Sequence, residues 1–288
     1  HSCRNPETAF GSIEDDCMRR DLTINALYTN ISTGEIVDIT GKGVDDIKNH
    51  IIRTPNDPDT IYDDDPLRIL RCIRFASRYG WDIEPETYEG MVRNVSRLEI
   101  ITKERVHDEL CKMLTCKHPI MAMELLRKIG AMHYVIPELE ETYSMTQNEY
   151  HFGTVWEHTM MVLEGTKDDN MILRISALLH DIGKIRVCTE EDGKIHFLKH
   201  ELKSGEMIDE LLRPLKFSNE IIKEVTFLVR NHMICKTWGY ECENMKDKKL
   251  RRLQYECKTE ERFRNLMTII DADNKAHAAD KCMPKQVE

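Results

Sequence analysis

Pro66 constrains the fold of this chain more than any other residue. It stands between Asp63-Asp64-Asp65 and the run Leu67-Arg68-Ile69-Leu70-Arg71-Cys72-Ile73-Arg74-Phe75. Proline suits the first helical position, where its missing N–H has no partner to lose. Asp65 before it can act as N-cap and accept an orphan amide. Beyond it, Ile69, Cys72, Ile73 and Ala76 share one helical face. Arg68, Arg71, Arg74 and Arg78 share another, an arc of roughly 120°. These residues predict a helix that starts sharply and sets an apolar stripe against an arginine stripe.

The cap has its own chemistry. Asp65 and Arg68 are three apart, so their side chains can lie side by side. One offers only acceptors and the other only donors. Cytosine and adenine each present an amino donor beside a ring acceptor, whereas guanine and uracil present the reverse order. An Asp–Arg pair on a rigid helix could therefore choose C and A over G and U without a template strand. The bland alternative is a salt-laced surface helix.

The 288 residues are enough for two or three small domains, and 32% charged against 41% hydrophobic content predicts a charge-rich helical protein. No apolar run approaches the roughly 20 residues a membrane span needs. A net charge of −10 argues against a general nucleic-acid coat protein, but leaves room for a local basic groove. The ten cysteines include no C-x-x-C pair, and Cys111 and Cys116 lack partners at zinc-site spacing. Reduced thiols in a cytoplasmic protein are the expectation. The first residues carry no apolar signal core and no initiator Met, so an N-terminally truncated piece is expected.

Residues 22–28 and 35–39 alternate like strands around the turn signal Ser32-Thr33-Gly34, which predicts a hairpin at the edge of a sheet. From about residue 43 the pattern becomes helical. Helices are expected over residues 44–50, from Pro66, from Glu84-Pro85, over 106–114 after a cap at Thr102, and from His118-Pro119 to Gly130. A Pro-rich connection is expected through Pro55 and Pro58. A polar connection over 144–150 marks a domain boundary. Beyond it, period-3.6 apolar positions run through Val155–Gly165, 170–179, 198–212, Asn219–Asn231 and 248–271.

Twelve histidines are many for this length, and seven of them fall in this second part. His158, the adjacent pair His180-Asp181, and Asp273 each border an apolar helical stretch and could point into a bundle. Imidazole with carboxylate suits a first-row divalent metal or Mg²⁺, which can lower the pKa of a bound water and turn it on a phosphate ester. A lone buried histidine is more often a hydrogen-bonded core residue; the ordered set favours ligation.

Arg19-Arg20-Asp21-Leu22-Thr23-Ile24-Asn25-Ala26 resembles the Arg-Arg-Asp-Phe-Thr-x-Asn-Ala motif of bacterial tRNA nucleotidyltransferases (CCA-adding enzymes) and their poly(A) polymerase relatives, with Leu22 for Phe. Asp38, Gly41, Gly43 and Asp46 resemble the next motif, although Lys42 separates the glycines. Asp64-Asp65-Pro66-Leu67-Arg68-Ile69-Leu70-Arg71 resembles Glu-Asp-x-x-Arg-x-x-Arg, with Asp64 for Glu. The resemblance implies a mostly α chain: residues 1–52 as the C-terminal remnant of an α+β nucleotidyltransferase head, 53–145 as a helical neck and body, and 146–288 as an all-α HD-type metal domain.

It implies nucleotide binding by Arg20, Asp21, Asn25, Asp65, Arg68, Arg71 and Arg74, with Arg71 and Arg74 on phosphates. It implies metal ligation by His158, His180, Asp181 and Asp273, and a second metal or phosphate site at His200 and His232. The implied partners are the tRNA 3′ end, CTP and ATP, without a membrane; the implied cofactors are Mg²⁺ in the head and Mg²⁺ or a transition metal in the HD domain. The family's Asp-x-Asp carboxylates precede the Arg-Arg-Asp motif and are not in this sequence, so the chain as given is expected not to transfer nucleotides. An HD-type phosphohydrolase, an A-adding or poly(A)-making relative, and a non-catalytic tRNA-binding module stay open at this point.

Overall fold

The structure, a computed structural model, describes residues 11–148, 153–166, 169–238 and 246–277. They form two compact units, one running through Val135 and one from Ile136. The polar connection expected over 144–150 falls partly outside the described residues. No helix among them is long and apolar enough to cross a membrane.

The first unit opens with α1 (Ile13–Met18), started by a capping box between Ser12 and Asp15. The strand expected over 22–28 is cut short. Thr23–Asn25 is a 3-10 turn, and only β1 (Leu27–Thr29) pairs, antiparallel, with β2 (Ile36–Asp38). Side chains account for the turn: Asp21 Oδ1 accepts from Leu22 N at 3.0 Å, and Thr23 Oγ1 donates to Asp46 Oδ2 at 2.7 Å. Such local bonds offer the backbone an alternative to a ladder. Next, α2 (Gly43–Asn49) leads into β3 (Ile51–Ile52), which pairs in parallel with β4 (Asp82–Ile83).

The expected Pro-rich connection is instead a helix, α3 (Pro58–Asp64), with Asp57 as its cap and Pro58 in its first turn. α4 (Leu67–Tyr79) then begins one residue later than expected. Asp65 closes α3 in an extended conformation, yet Asp65 Oδ1 still accepts the orphan amide of Leu67 at 3.1 Å. Ile69, Leu70, Cys72, Ile73 and Ala76 of α4 are fully buried. Burying a large aliphatic side chain contributes roughly 1.5–3 kcal/mol, so this stripe holds α4 in place. Gly80 ends it at φ +70, and a Cβ there would meet His118 Nε2 at 2.8 Å.

The unit is completed by α5 (Pro85–Asn94), α6 (Lys103–Leu114), α7 (Pro119–Lys128) and α8 (Met132–Val135). α5 packs on α3, whereas α6 and α7 pack on α4. The helix starts at Glu84-Pro85, Thr102 and His118-Pro119 fall where their caps predict.

The second unit comprises α9 (Val155–Gly165), α10 (Met171–Leu179), α11 (Lys184–Val187), α12 (His200–Leu212), α13 (Asn219–Asn231), α14 (Asp247–Cys257) and α15 (Glu260–Lys275). A hairpin of β5 (Thr189–Glu191) and β6 (Lys194–His196) turns at Asp192 and Gly193, both at positive φ. That Asp-Gly pair is a hairpin signal the sequence reading passed over. The single helix expected over 248–271 is two helices, because Lys258 is left-handed and Thr259 Oγ1 caps a new helix by accepting from Arg262 N at 3.2 Å. α12 starts at His200 and not 198, after left-handed Lys199. Leu173, Leu228, Leu253, Leu266, Ile269 and Ile270 form the core that α10, α13, α14 and α15 share.

Candidate nucleotide cradle and candidate metal centre

In the first unit, Asp21 joins two separate segments. Its Oδ2 accepts from Arg71 Nε at 2.8 Å and lies 2.7 Å from Arg71 Nη2, while its Oδ1 accepts from Asn25 Nδ2 at 3.1 Å. Asp21 is buried, at 8% exposed, while the Arg71 side chain that meets its Oδ2 with two nitrogens is 35% accessible. Arg20 sits beside it. Its Nη1 donates to Asn25 O at 3.1 Å, its Nε and Nη2 donate to Asp16 Oδ2, and its guanidinium lies 5.2 Å from the Tyr28 ring centre. The Tyr28 hydroxyl bond, with Arg20, holds the Asp16 carboxyl below its ordinary pKa.

Six to eight residues before Arg71, the α3–α4 junction presents three aspartates, each met by an arginine. Arg97 pairs with Asp63, Arg19 Nε lies 3.7 Å from Asp64 Oδ2, and Arg105 donates to both Asp65 oxygens at 3.2 and 2.7 Å. Arg68 Nη1 donates to Ile61 O at 3.0 Å and lies 3.8 Å from Asp64 Oδ2. Arg68 N donates to Asp65 O at 3.0 Å, but among the described residues no hydrogen bond joins their side chains, which stand at the same helix start, each bonded elsewhere. Arg105 and Arg97 escaped the sequence reading. Their only local signal was Arg105 four residues before Glu109 on one face of α6.

Arg74, which the resemblance sets on phosphate, is enclosed in this structure. Arg74 is 9% exposed, and its Nε lies 2.7 Å from Glu109 Oε2, itself 2% exposed. The Arg74 guanidinium also covers the Phe75 ring at 4.2 Å. α6 packs against α4, so the arginine facing that helix is enclosed with a carboxylate while its sequence neighbours reach the edge.

In the second unit, α9, the end of α10 and the end of α15 bring His158, His180, Asp181 and Asp273 together, all buried. His158 Nε2 lies 3.1 Å from Asp273 Oδ1 and 3.3 Å from His180 Nε2. His180 Nε2 lies 3.2 Å from Asp181 Oδ2. The other Asp181 oxygen faces His200 Nε2 at 3.1 Å and His232 Nε2 at 3.8 Å. Asp181 therefore stands between two histidine pairs, one on each oxygen, and both triplets have their ligand atoms within 4.8 Å of one another.

Backbone carbonyls set the ring orientations. His180 Nδ1 lies 2.8 Å from Ala177 O, His200 Nδ1 2.9 Å from Phe197 O, and His232 Nδ1 2.6 Å from Val229 O. A neutral imidazole that donates from Nδ1 keeps its lone pair on Nε2. In each ring that lone pair faces Asp181, the orientation seen when an imidazole serves as a metal ligand. Gly183 allows the approach of α12: its N donates to Ser204 Oγ at 2.8 Å, and a Cβ would meet Ser204 N at 2.4 Å and His200 O at 2.5 Å.

Two lysines and a further histidine complete the centre, and the sequence reading did not single them out. Lys184 Nζ lies 2.7 Å from Asp181 Oδ2 and donates to Gln147 Oε1 at 2.7 Å. Lys236 Nζ lies 3.0 Å from both Asp273 Oδ2 and His277 Nε2. Burial opposes charge on both carboxylates, but His180, Lys184 and His200 hold Asp181 well below the usual range, and Lys236 with His158 does the same for Asp273. Burial pushes His232 down to about 3 and His277 to about 4. It also lowers His158, whereas for His180 burial is outweighed by Asp181 and Asp273 and the pKa rises.

Three family patterns match the chain. The Poly A polymerase head domain matches residues 1–53, the probable RNA- and SrmB-binding site of polymerase A matches 80–142, and the HD domain matches 148–274. A Multifunctional CCA protein of Actinobacillus pleuropneumoniae is 34% identical over 237 residues, 78% of this chain and 56% of the relative. One from Neisseria gonorrhoeae is 33% identical over 229 residues, 77% and 54%. The mitochondrial CCA tRNA nucleotidyltransferase of Saccharomyces cerevisiae is 42% identical over 128 residues, 43% and 23%. The chain thus spans little more than half the length of the bacterial relatives. The fold is similar to that of the Bacillus stearothermophilus CCA-adding enzyme in complex with CTP, at TM-score 0.59 and 22% identity over 97% of this chain and 59% of that one. It is similar also to a tRNA nucleotidyltransferase complexed with a primer tRNA and an incoming ATP analog, at TM-score 0.61 and 19% identity over 92% and 70%.

Proposed function

From a chain that belongs to the tRNA nucleotidyltransferase and poly(A) polymerase family with an HD domain, we propose that the whole protein adds CCA to tRNA 3′ ends from CTP and ATP. One observation carries the reading: the Asp21 carboxylate ties the Arg19-Arg20-Asp21 motif and Asn25 to Arg71, one turn along α4 from Arg68. The segment that would hold triphosphate is thereby fixed to the helix that would read the base. In this proposal Arg20, Asn25 and Arg71 orient the nucleotide, with Arg71 placed toward phosphate. Asp65 accepts from the amino group of cytosine or adenine, and Arg68 donates to the neighbouring ring nitrogen. Arg105 must yield Asp65 for this to happen. Residues 1–52 serve as head, 53–145 as nucleotide- and tRNA-binding neck and body, and 146–288 as metal domain.

The residues around Asp181 fit a divalent cation, because three imidazoles whose Nδ1 atoms lie against backbone carbonyls turn their Nε2 atoms toward one shared carboxylate. His158, His180, Asp181 and Asp273 would hold it, with His200 and His232 offering a second position on the other Asp181 oxygen. Mixed imidazole and carboxylate ligation suits Mn²⁺, Fe²⁺, Co²⁺, Ni²⁺, Zn²⁺ or Mg²⁺. When bound, such a cation supplies Lewis acidity and lowers the pKa of a bound water. Lys184 and Lys236 balance the carboxylates from the protein side. Phosphohydrolysis as the principal activity is not adopted, since the relatives bear CCA names. Mg²⁺ for nucleotidyl transfer would belong to the Asp-x-Asp carboxylates of the family, a pattern that residues 1–18 do not contain. The described cysteines are free thiols, which fits a cytoplasmic setting.

The test is competitive nucleotide binding to this chain. Wild type is expected to prefer CTP and ATP over GTP and UTP, and the Asp65→Ala/Arg68→Ala variant to lose that preference. An unchanged preference in the variant would remove the base-reading role.

A further inference from the structure

We propose that the outer face of α14 is a contact surface for the phosphate backbone of an RNA, in addition to the 80–142 region that the RNA-binding pattern matches. The inference rests on the reading that the protein handles tRNA. Residues 246–258 hold six lysines and arginines against two carboxylates, in a chain whose net charge is −10. Lys248, Arg251, Arg252 and Tyr255 fall within an arc of about 100° over two turns, or about 10 Å of helix. All four are exposed: the arginine side chains are 81% and 80% accessible and Tyr255 is 84% accessible. The arginines of α4 contrast with this, since Arg68, Arg71 and Arg74 are committed to partners inside the first unit.

The carboxylates on the stripe do not cancel it. Asp247 lies 3.9 Å from Arg251, and Glu256 accepts from Arg252 Nε at 2.8 Å. Both are short-range surface pairs, which guanidinium exchanges readily for phosphate. Lys248 has no ion pair among the described residues. The opposite face of α14 is spent on the core: Leu253 and Cys257 are buried and Leu250 packs against the same cluster. No apolar face is left to enter a lipid surface, so a basic amphipathic membrane helix does not fit. An RNA strand does, because guanidinium and ammonium groups can follow its phosphates while the exposed Tyr255 ring offers a base a surface for stacking.

The experiment compares the full chain with its Lys248→Gln/Arg251→Gln/Arg252→Gln variant in binding a tRNA across a salt series. Glutamine keeps the helix propensity of the residues it replaces. Removing three phosphate contacts is expected to weaken binding at least about tenfold at low salt. The slope of log K against log salt should fall by roughly two to three. CTP binding should be unchanged, as should tRNA binding by a Lys48→Gln/Lys203→Gln control. Tyr255→Ala should weaken binding without changing the slope. If wild type binds tRNA and the triple variant matches it in affinity and slope, the α14 surface is wrong and the tRNA reading stands. If wild type binds no tRNA, the functional reading fails and this inference with it. Charge-dependent binding to anionic vesicles without tRNA binding would also overturn the proposal.

Discussion

Replacing Glu109 tests whether Arg74 is a structural or a ligand-binding residue. Arg74 and Glu109 are 9% and 2% exposed, with Nε and Oε2 2.7 Å apart. Removing one member of a buried ion pair costs about 3–5 kcal/mol, because the other charge stays buried without compensation. The Phe75 ring under the Arg74 guanidinium at 4.2 Å offsets about 0.5–1 kcal/mol of that. Lys112, 3.2 Å from Glu109 Oε1 and half exposed, loses little. Glu109→Gln should therefore destabilise by about 3 kcal/mol. At about 2–4 °C per kcal/mol for units of this size, the melting temperature should fall by roughly 6–12 °C, read by circular dichroism. Arg74→Met/Glu109→Leu should recover most of the loss, since apolar replacement of a buried pair is often close to neutral. The double variant should bind CTP as wild type does. A loss under about 1 kcal/mol in Glu109→Gln would refute the buried-pair argument. A recovered melting temperature with lost CTP binding would return Arg74 to the nucleotide.

Asp181→Asn, which alters the one carboxylate shared by both histidine pairs, should reduce the metal that co-purifies, measured by mass spectrometry, at least about tenfold; undiminished metal would exclude this centre. Gly183→Ala places a methyl 2.4 Å from Ser204 N and 2.5 Å from His200 O, so it should cost about 1–3 kcal/mol by overpacking. It should also weaken metal binding through His200, and normal titration by Mn²⁺ would show that the close approach is not needed. Burial raises the Glu84 carboxyl, but bonds from Thr87 N and Oγ1 outweigh it and the pKa lies below its ordinary value. A depressed carboxyl stabilises above its unfolded pKa, about 4.3, and that contribution is lost as pH falls through the folded value. Urea melts should show the advantage of wild type over Glu84→Gln shrinking below about pH 4, and a constant difference would contradict the cap.

Much of the chain's local structure is legible in its residues, because helix starts and apolar stripes depend on near neighbours. Thr154 and Glu157 form a capping box three residues apart, Asn170 caps α10, and Val155–Gly165 and Asn219–Asn231 match their periodicity. Where such readings fail, side-chain bonds or backbone handedness intervene, as at Thr23 and Lys258. The histidines and aspartates of the candidate metal centre are likewise nameable from pattern, since His180 and Asp181 adjoin an apolar helix.

What the residues alone could not decide is which charges meet. Asp21 and Arg71 are 50 positions apart, Asp65 and Arg105 40, and His158 and Asp273 115. The same arginine stripe yields a buried pair at Arg74, a bridge to the Arg-Arg-Asp motif at Arg71 and an edge position at Arg68. Periodicity assigns a side chain to a face at almost no cost in chain entropy, so sequence determines it. Only packing determines what that face meets, because a partner far along the chain is held by the burial of every element between them.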